Sequence, residues 1–255
     1  VPVILLEQNR AAGRANRLLA PFVDAVASSF AGLSFPGARR VEVTGNPVRR
    51  AVLAAAACRR DGAGARGVVK RRILVMGGSQ GATAINRAVR EALPALAEFR
   101  DGIEWSHIAG DADKEGMMAA YRTHGWDAEV VSYSDDLPGR MAACDAVLGR
   151  AGGTTLAELA VIGTPAVLVP YPHHRDRHQW LNAESFAREG AARLLPEAEL
   201  GAASLGRLCG EVVSGSEDLA LLGRRAQALA RPDAADRVID LALGIACRSL
   251  SGSFS

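Results

Sequence analysis

The stretch "RILVMGGSQGATAIN", Arg72 to Asn86, decides the fold. Ile73, Leu74 and Val75 run without polar interruption into a glycine cluster. Ile85, Val89, Leu93 and Leu96 then recur at helical spacing. An unbroken apolar run suits a strand covered on both faces, and the 3.6-residue recurrence suits a helix packed on it. The segment Gly77-Gly78-Ser79-Gln80-Gly81 between them predicts a tight turn at the carboxyl end of a strand and the N-terminus of a helix. Unpaired N–H groups and the positive end of the helix dipole suit a phosphate there. The spacing is not G-x-G-x-x-G, and no Lys-Ser/Thr pair follows as in a P-loop. The turn alone leaves open a nucleotide, a sugar nucleotide or no ligand.

Working outward, apolar runs alternate with helical patterns along the chain, which predicts an α/β protein with parallel sheet covered by helices. Expected strands are 3–7, 25–28, 41–44, 73–76, 103–108, 129–133, 146–148 and 166–169, with 192–195 as a further one. Further helices are expected at 112–123, 154–162, 177–188, 204–213, 217–230 and 233–247. The run Val3 to Leu6 predicts a strand with neighbours on both sides, so the chain reads as a fragment whose N-terminal portion lies upstream of Val1. "GNPVRR", the alanine-rich residues after it and "RDGAGARGVVKRR" read together as an interdomain linker over 45–70. The expected division is 1–44 as the end of a first domain, 71–238 as a second, and 239–255 as a helix end and disordered tail.

Of the 255 residues 49% are hydrophobic, enough for a substantial core, and the net charge is only +2 with both signs interspersed. That argues against nucleic acid, whose binders concentrate their basic residues. Cys58, Cys144, Cys209 and Cys247 lie far apart with no CxxC pair, which points to neither a disulfide framework nor a zinc site. No apolar run has the length of a membrane span.

A second glycine junction occurs in "LGRAGGTTLAELAVIGTPAVLVP": strand, Gly152-Gly153-Thr154-Thr155, helix, strand. Glu158 has two readings. Thr155-Leu-Ala-Glu158 fits a capping box, and a carboxylate beside a phosphate turn fits a ribose diol. In "PYPHHRDRHQWLNA", Pro170 to Ala183, His174 and His178 are four apart, but too few ligands accompany them for a zinc site. His178, Gln179 and Asn182 offer neutral donors and acceptors within one helical turn, which suits hydroxyl-rich ligands. Glu7-Gln8-Asn9 and Gly45-Asn46-Pro47-Val48-Arg49-Arg50 end two other strands, and Arg49 can neutralise a diphosphate. No metal or cofactor is expected.

Taken together, "LLEQN", "GNPVRR", "ILVMGGSQGA", "GRAGGTTLAELA" and "PYPHHRDRHQWLNA" resemble, in order and spacing, the MurG family. The resemblance spans Val3 to about Ala246. It implies the GT-B architecture: a Rossmann-like, parallel-sheet donor domain plus the remnant of a second Rossmann-like domain. It implies inverting transfer of N-acetylglucosamine from UDP-N-acetylglucosamine to undecaprenyl-diphosphate-muramoyl-pentapeptide, which converts lipid I to lipid II for peptidoglycan. It also implies a peripheral place on the cytoplasmic face of the bacterial plasma membrane, with membrane contact and the general base in the missing domain. By motif, Ser79 would approach the donor diphosphate, and Gly153, Thr154 and Thr155 would meet phosphate and sugar. Glu158 would take the ribose hydroxyls. His178, Gln179 and Asn182 would face the N-acetylglucosamine hydroxyls. Asn9 and Arg49 would line the cleft, and main chain around Ser134 would hold uracil.

Overall fold

The computed structural model describes residues 2–62, 70–77, 83–173 and 175–251. Two parallel sheets organise them. The smaller has order β1-β2-β3, from Ile4–Glu7, Ala25–Ser28 and Val41–Val43. The larger has order β6-β5-β4-β7-β8-β9. Its strands are β4 Arg71–Met76, β5 Ile103–Ile108, β6 Asp127–Val131, β7 Ala146–Gly149, β8 Ala166–Leu168 and β9 Arg193–Leu194. Every pairing is parallel, with Ile73 opposite both Trp105 and Ala146. Strand order runs outward in both directions from β4 and β7. The topological switch point, where open α/β sheets bind ligands, therefore lies between these two strands.

Residues 73–76 are all buried. Successive side chains of a strand point to opposite faces, so Ile73 and Val75 enter one core and Leu74 and Met76 another. The first core is closed by α3 Thr83–Ala92, α4 Lys114–Thr123 and α8 Ala202–Ser214, through residues such as Val89, Tyr121 and Leu208. The second is closed by α2 Arg50–Gly62, α5 Leu137–Ala143, α6 Gly153–Ile162 and α7 His178–Arg188. The helix α9, Glu217–Ala228, contributes Leu219 to the first and Ala226 to the second. The face expected for the helix after β4 is present, since Ile85, Val89, Leu93 and Leu96 are all buried. The α-helix ends at Ala92 and a 3-10 segment, Leu93–Phe99, continues it. Pro94 cannot donate to the i−4 carbonyl, which favours the change.

Two expectations are corrected. The stretch 45–70 is not linker throughout: residues 50–62 form α2, and Val52, Ala55 and Ala56 are buried in the second core. Alanine is the strongest helix former, and it outweighs the glycine-rich half that dominates the composition; residues 63–69 lie outside the described residues. At the other end, α10 runs Ala234–Ser251, so residues 248–251, expected in a disordered tail, are helical in backbone. That helix returns to the small sheet, where Leu241 packs on Ala25 and Ala27. Among the described residues β1 pairs only with β2, and Val3 and Leu6 are exposed, which agrees with a strand whose expected second neighbour is not among them. The helix α1, Arg14–Leu19, follows β1 in this first lobe.

Candidate functional site

The carboxyl end of the large sheet faces the carboxyl end of β1, and polar side chains join the two. The turn after β7 begins the site. Gly152 caps α6 and Gly153 is its first residue. A Cβ at Gly153 would stand 2.4 Å from the Gln8 carbonyl oxygen, so the two lobes approach here as only glycine permits. Beside it, Thr154 Oγ1 donates to Gln8 Oε1 at 2.9 Å. Of the corresponding turn after β4, residues 78–82, Ser79 among them, lie outside the described residues.

Glu158 is the sixth residue of α6, not the third, because the helix starts at Gly153. The capping-box reading of Thr155 and Glu158 is thereby corrected: the pair lies inside the helix. Only 3% of Glu158 is exposed, and its one side-chain partner among the described residues is Arg49, whose Nη2 donates to Oε1 at 3.1 Å. Burial pushes the Glu158 carboxyl above its ordinary pKa, and the Arg49 bond and charge oppose that shift. The Arg49 side chain is 55% exposed, so this ion pair has one dry and one wet end.

Both groups line a cleft of about 720 Å³, together with Thr154, Thr155, Ser134 and the segment Gly110–Ala112. Ser134 is held by Arg140, whose Nε donates to Ser134 Oγ at 2.9 Å. Arg140 also grips Glu129 with two nitrogens, at 2.7 and 2.5 Å, and that bond holds the Glu129 carboxyl below its ordinary pKa. Asp136 caps α5 by accepting from Gly139 N at 3.0 Å.

The cluster after β8 has a different character. Gln179 Oε1 accepts from Tyr171 N at 3.0 Å, bracing the loop before α7. His178 Nδ1 lies 2.8 Å from Asp176. Asn182 is fully buried. Its Nδ2 donates to Asn9 Oδ1 and to the Ala151 carbonyl, both at 3.0 Å, and its Oδ1 accepts from Arg10 N at 2.7 Å. Asn9, Gly153, His178, Gln179 and Asn182 do not line the 720 Å³ cleft, whereas Arg49, Ser134, Thr154, Thr155 and Glu158 do. His174 is outside the described residues, and among those described no group of three His, Cys, Asp or Glu could hold a metal ion.

Glu7, the first of the polar trio that ends β1, is buried and shapes the loop there, accepting from Asn9 N at 3.0 Å and Gly13 N at 2.7 Å. Other contributors escape the motif reading. Arg140 and Gly110–Ala112 carry no motif. The strand-end rule does point to them, since 110–112 follows β5 as Ser134 follows β6.

The spatial order along the sheet edge follows from strand order. Ser134 follows β6, Gly110–Ala112 follows β5, the two glycine turns follow β4 and β7, and α7 follows β8. At ~4.8 Å per spacing, these five strand ends span about 19 Å, roughly the length of a nucleoside diphosphate with a sugar attached.

Residues 72–238 match the family described as "Glycosyltransferase family 28 C-terminal domain". A UDP-N-acetylglucosamine–N-acetylmuramyl-(pentapeptide) pyrophosphoryl-undecaprenol N-acetylglucosamine transferase of Azotobacter vinelandii is 41% identical over 245 residues, covering 96% of this chain and 67% of the relative. The transferase of the same name from Nitratidesulfovibrio vulgaris is 43% identical over 254 residues, covering 94% and 66%. The crystal structure of Acinetobacter baumannii MurG superposes with a TM-score of 0.75 at 28% identity, covering 94% of this chain and 67% of that one. The chain thus spans about two thirds of the length of the curated relatives it matches. By motif order, by the parallel sheet with its switch-point cleft and by these likenesses, the chain belongs to the MurG family and carries its glycosyltransferase family 28 C-terminal domain.

Proposed function

We propose that this chain forms the donor-binding part of an inverting glycosyltransferase that moves N-acetylglucosamine from UDP-N-acetylglucosamine to undecaprenyl-diphosphate-muramoyl-pentapeptide. The observation that carries the reading is Glu158: a buried carboxylate on the cleft wall, beside the switch point, with Arg49 as its one hydrogen-bond partner among the described residues. A carboxylate so placed has lone pairs to spare for a ribose diol, as in other nucleotide-binding α/β folds. The family's own name for its donor and acceptor supports the same assignment.

The roles follow from order along the edge. Uracil lies at the Ser134 end, ribose at Glu158, and the diphosphate at the switch point between the glycine turns. There the N-terminus of α6 supplies N–H groups and a favourable dipole. Ser79, on the first turn, contacts the diphosphate in this reading. The sugar extends toward α7, where His178 and Gln179 stand; Asn9 and Asn182 build the lobe junction behind it. In the transfer, the acceptor's C4 hydroxyl oxygen bonds to the anomeric carbon as the bond from that carbon to the β-phosphate oxygen breaks. UDP leaves with the electron pair, and a base takes the hydroxyl proton. Negative charge grows on the diphosphate, next to Arg49 and the α6 N-terminus, which stabilise it electrostatically. A peripheral station on the cytoplasmic face of the plasma membrane fits a lipid-linked acceptor; no described helix is long and apolar enough to cross a membrane.

Calorimetric titration with UDP-N-acetylglucosamine tests this, with Glu158→Ala beside the unaltered chain. Binding that the variant loses is the expected result. Equal binding by both would remove Glu158 from the site, and no binding by the folded, unaltered chain would count against a donor site in this chain alone.

A further inference from the structure

A buried polar network lies under the β5 end of the cleft and takes no part in the contacts described so far. Asn86, on α3, donates from Nδ2 to the Ala109 carbonyl and to Asp113 Oδ2, both at 2.8 Å. Those acceptors stand on either side of Gly110–Ala112, the segment that lines the cleft. One amide thus ties both ends of a three-residue loop, whose first residue has φ of 80°.

The orientation of that amide is determined by its surroundings. A carbonyl and a carboxylate can only accept, so Nδ2 must face them and Oδ1 must point away. Oδ1 lies 3.0 Å from His107 Nε2. His107 therefore carries its proton on Nε2 and donates it to Asn86. Its Nδ1, left as an acceptor, lies 2.9 Å from the Tyr121 hydroxyl, which donates. His107 is fully buried, and Asn86 and Tyr121 are each 2% exposed. Burial lowers the His107 pKa to about 4, so the ring stays neutral near neutral pH and the chain of donors keeps one direction. The loop is tied on its other side as well, since Gly110 N donates to the Ser132 carbonyl at 3.2 Å. Two walls of one cleft end are thereby fixed to each other.

We propose that Asn86, oriented by its two acceptors and buttressed by His107 and Tyr121, is a positioning residue that staples both ends of loop 110–112 and so shapes the nucleobase end of the cleft. The staple stands on the geometry alone; its effect on the nucleobase rests on the uridine-diphosphate reading above. Tyr121→Phe keeps the ring and removes one hydroxyl. His107 Nδ1 then loses its donor in a dry place, which loosens the support beneath Asn86, while the Ala109 carbonyl and Asp113 still hold the amide in its orientation.

The test uses the 255-residue chain, Asn86→Leu and Tyr121→Phe, titrated with UDP and with ADP as competitor, and followed by amide hydrogen exchange at Gly110. The expected result for Asn86→Leu is UDP binding weakened about tenfold, the scale of one lost polar contact. The preference for UDP over ADP falls with it, and Gly110 exchanges faster than in the unaltered chain while strand β4 amides do not. Tyr121→Phe shows the same pattern at smaller amplitude and carries the test if Asn86→Leu does not fold. Unchanged Gly110 exchange in the folded variants overturns the staple. Faster exchange with an unchanged UDP-to-ADP preference overturns its role in shaping the base end. Failure of the unaltered chain to bind UDP would count against the donor-site reading instead, and exchange at Gly110 would still decide the staple.

Discussion

Glu158 and Asn182 are both buried polar residues on helices that start at the carboxyl edge of the same sheet, yet their surroundings differ. Asn182 uses both amide hydrogens and its oxygen on three groups of the protein, two of them on the first lobe. Among the described residues Glu158 has one partner, and that partner is half in water. A buried amide with its capacity used is a joint, since losing any bond strands a partner in a dry place. A buried carboxylate with capacity left over is energetically costly and is retained where a ligand completes it.

Asn182→Ala should break this contrast most visibly. It strands the Arg10 N–H and the Ala151 carbonyl, at a cost of about 3–4 kcal/mol, read as a lower urea midpoint with the slope unchanged. His107 belongs with Asn182, because both of its ring nitrogens are engaged. Its pKa falls from 6.5 to about 4 in the folded chain. The unfolded chain therefore binds the extra proton first as pH drops. Stability is fully present above pH 6.5 and declines as pH falls toward 4, by about 3 kcal/mol in all. His107→Gln should be less stable at neutral pH and lack this part of the acid slope in denaturant titrations.

Glu158→Gln should do the reverse of Asn182→Ala, with stability changed by less than about 1 kcal/mol and UDP binding weakened about tenfold, ~1.4 kcal/mol. Because burial raises the Glu158 pKa, UDP affinity in the unaltered chain should begin to fall at a higher pH than an ordinary carboxylate would give, and titrations across acid pH read this directly. The smallest effect is expected at Thr154→Val. Its bond to Gln8 is exposed, so roughly 0.5–1 kcal/mol is lost at most, visible as a small shift of the denaturation midpoint.

Legibility divides along the same line. Strands Ala25–Ser28 and Ile103–Ile108 follow from local apolar runs, and the structure has them at those bounds. The cleft's location follows from glycine turns at strand ends, and five residues named from motifs line it. Long-range partnerships were not legible. Asn182 reaches across 173 residues to Asn9, and nothing local distinguishes it from an open polar helix turn. The Thr155–Glu158 spacing resembled a cap because both readings need the same two residue types, and only the start of α6 at Gly153 separates them. The Asn86–His107–Tyr121 network left no motif, since each member sits singly on a different element.

The return of α10 to the small sheet has a topological consequence. The whole six-stranded unit is an insertion between β3 and α10, entered after Val43 and left before Ala234. Entry and exit lie side by side: Gly45 has φ of 86°, and a Cβ there would stand 2.5 Å from the Arg231 Cβ. The lobes are thus bound along a spine two chains wide, like a book. Both covalent connections between the lobes therefore pass through this one place, on the two segments either side of Gly45 and Arg231. A side chain placed at residue 45 would strain the backbone and push on Arg231 at the spine itself.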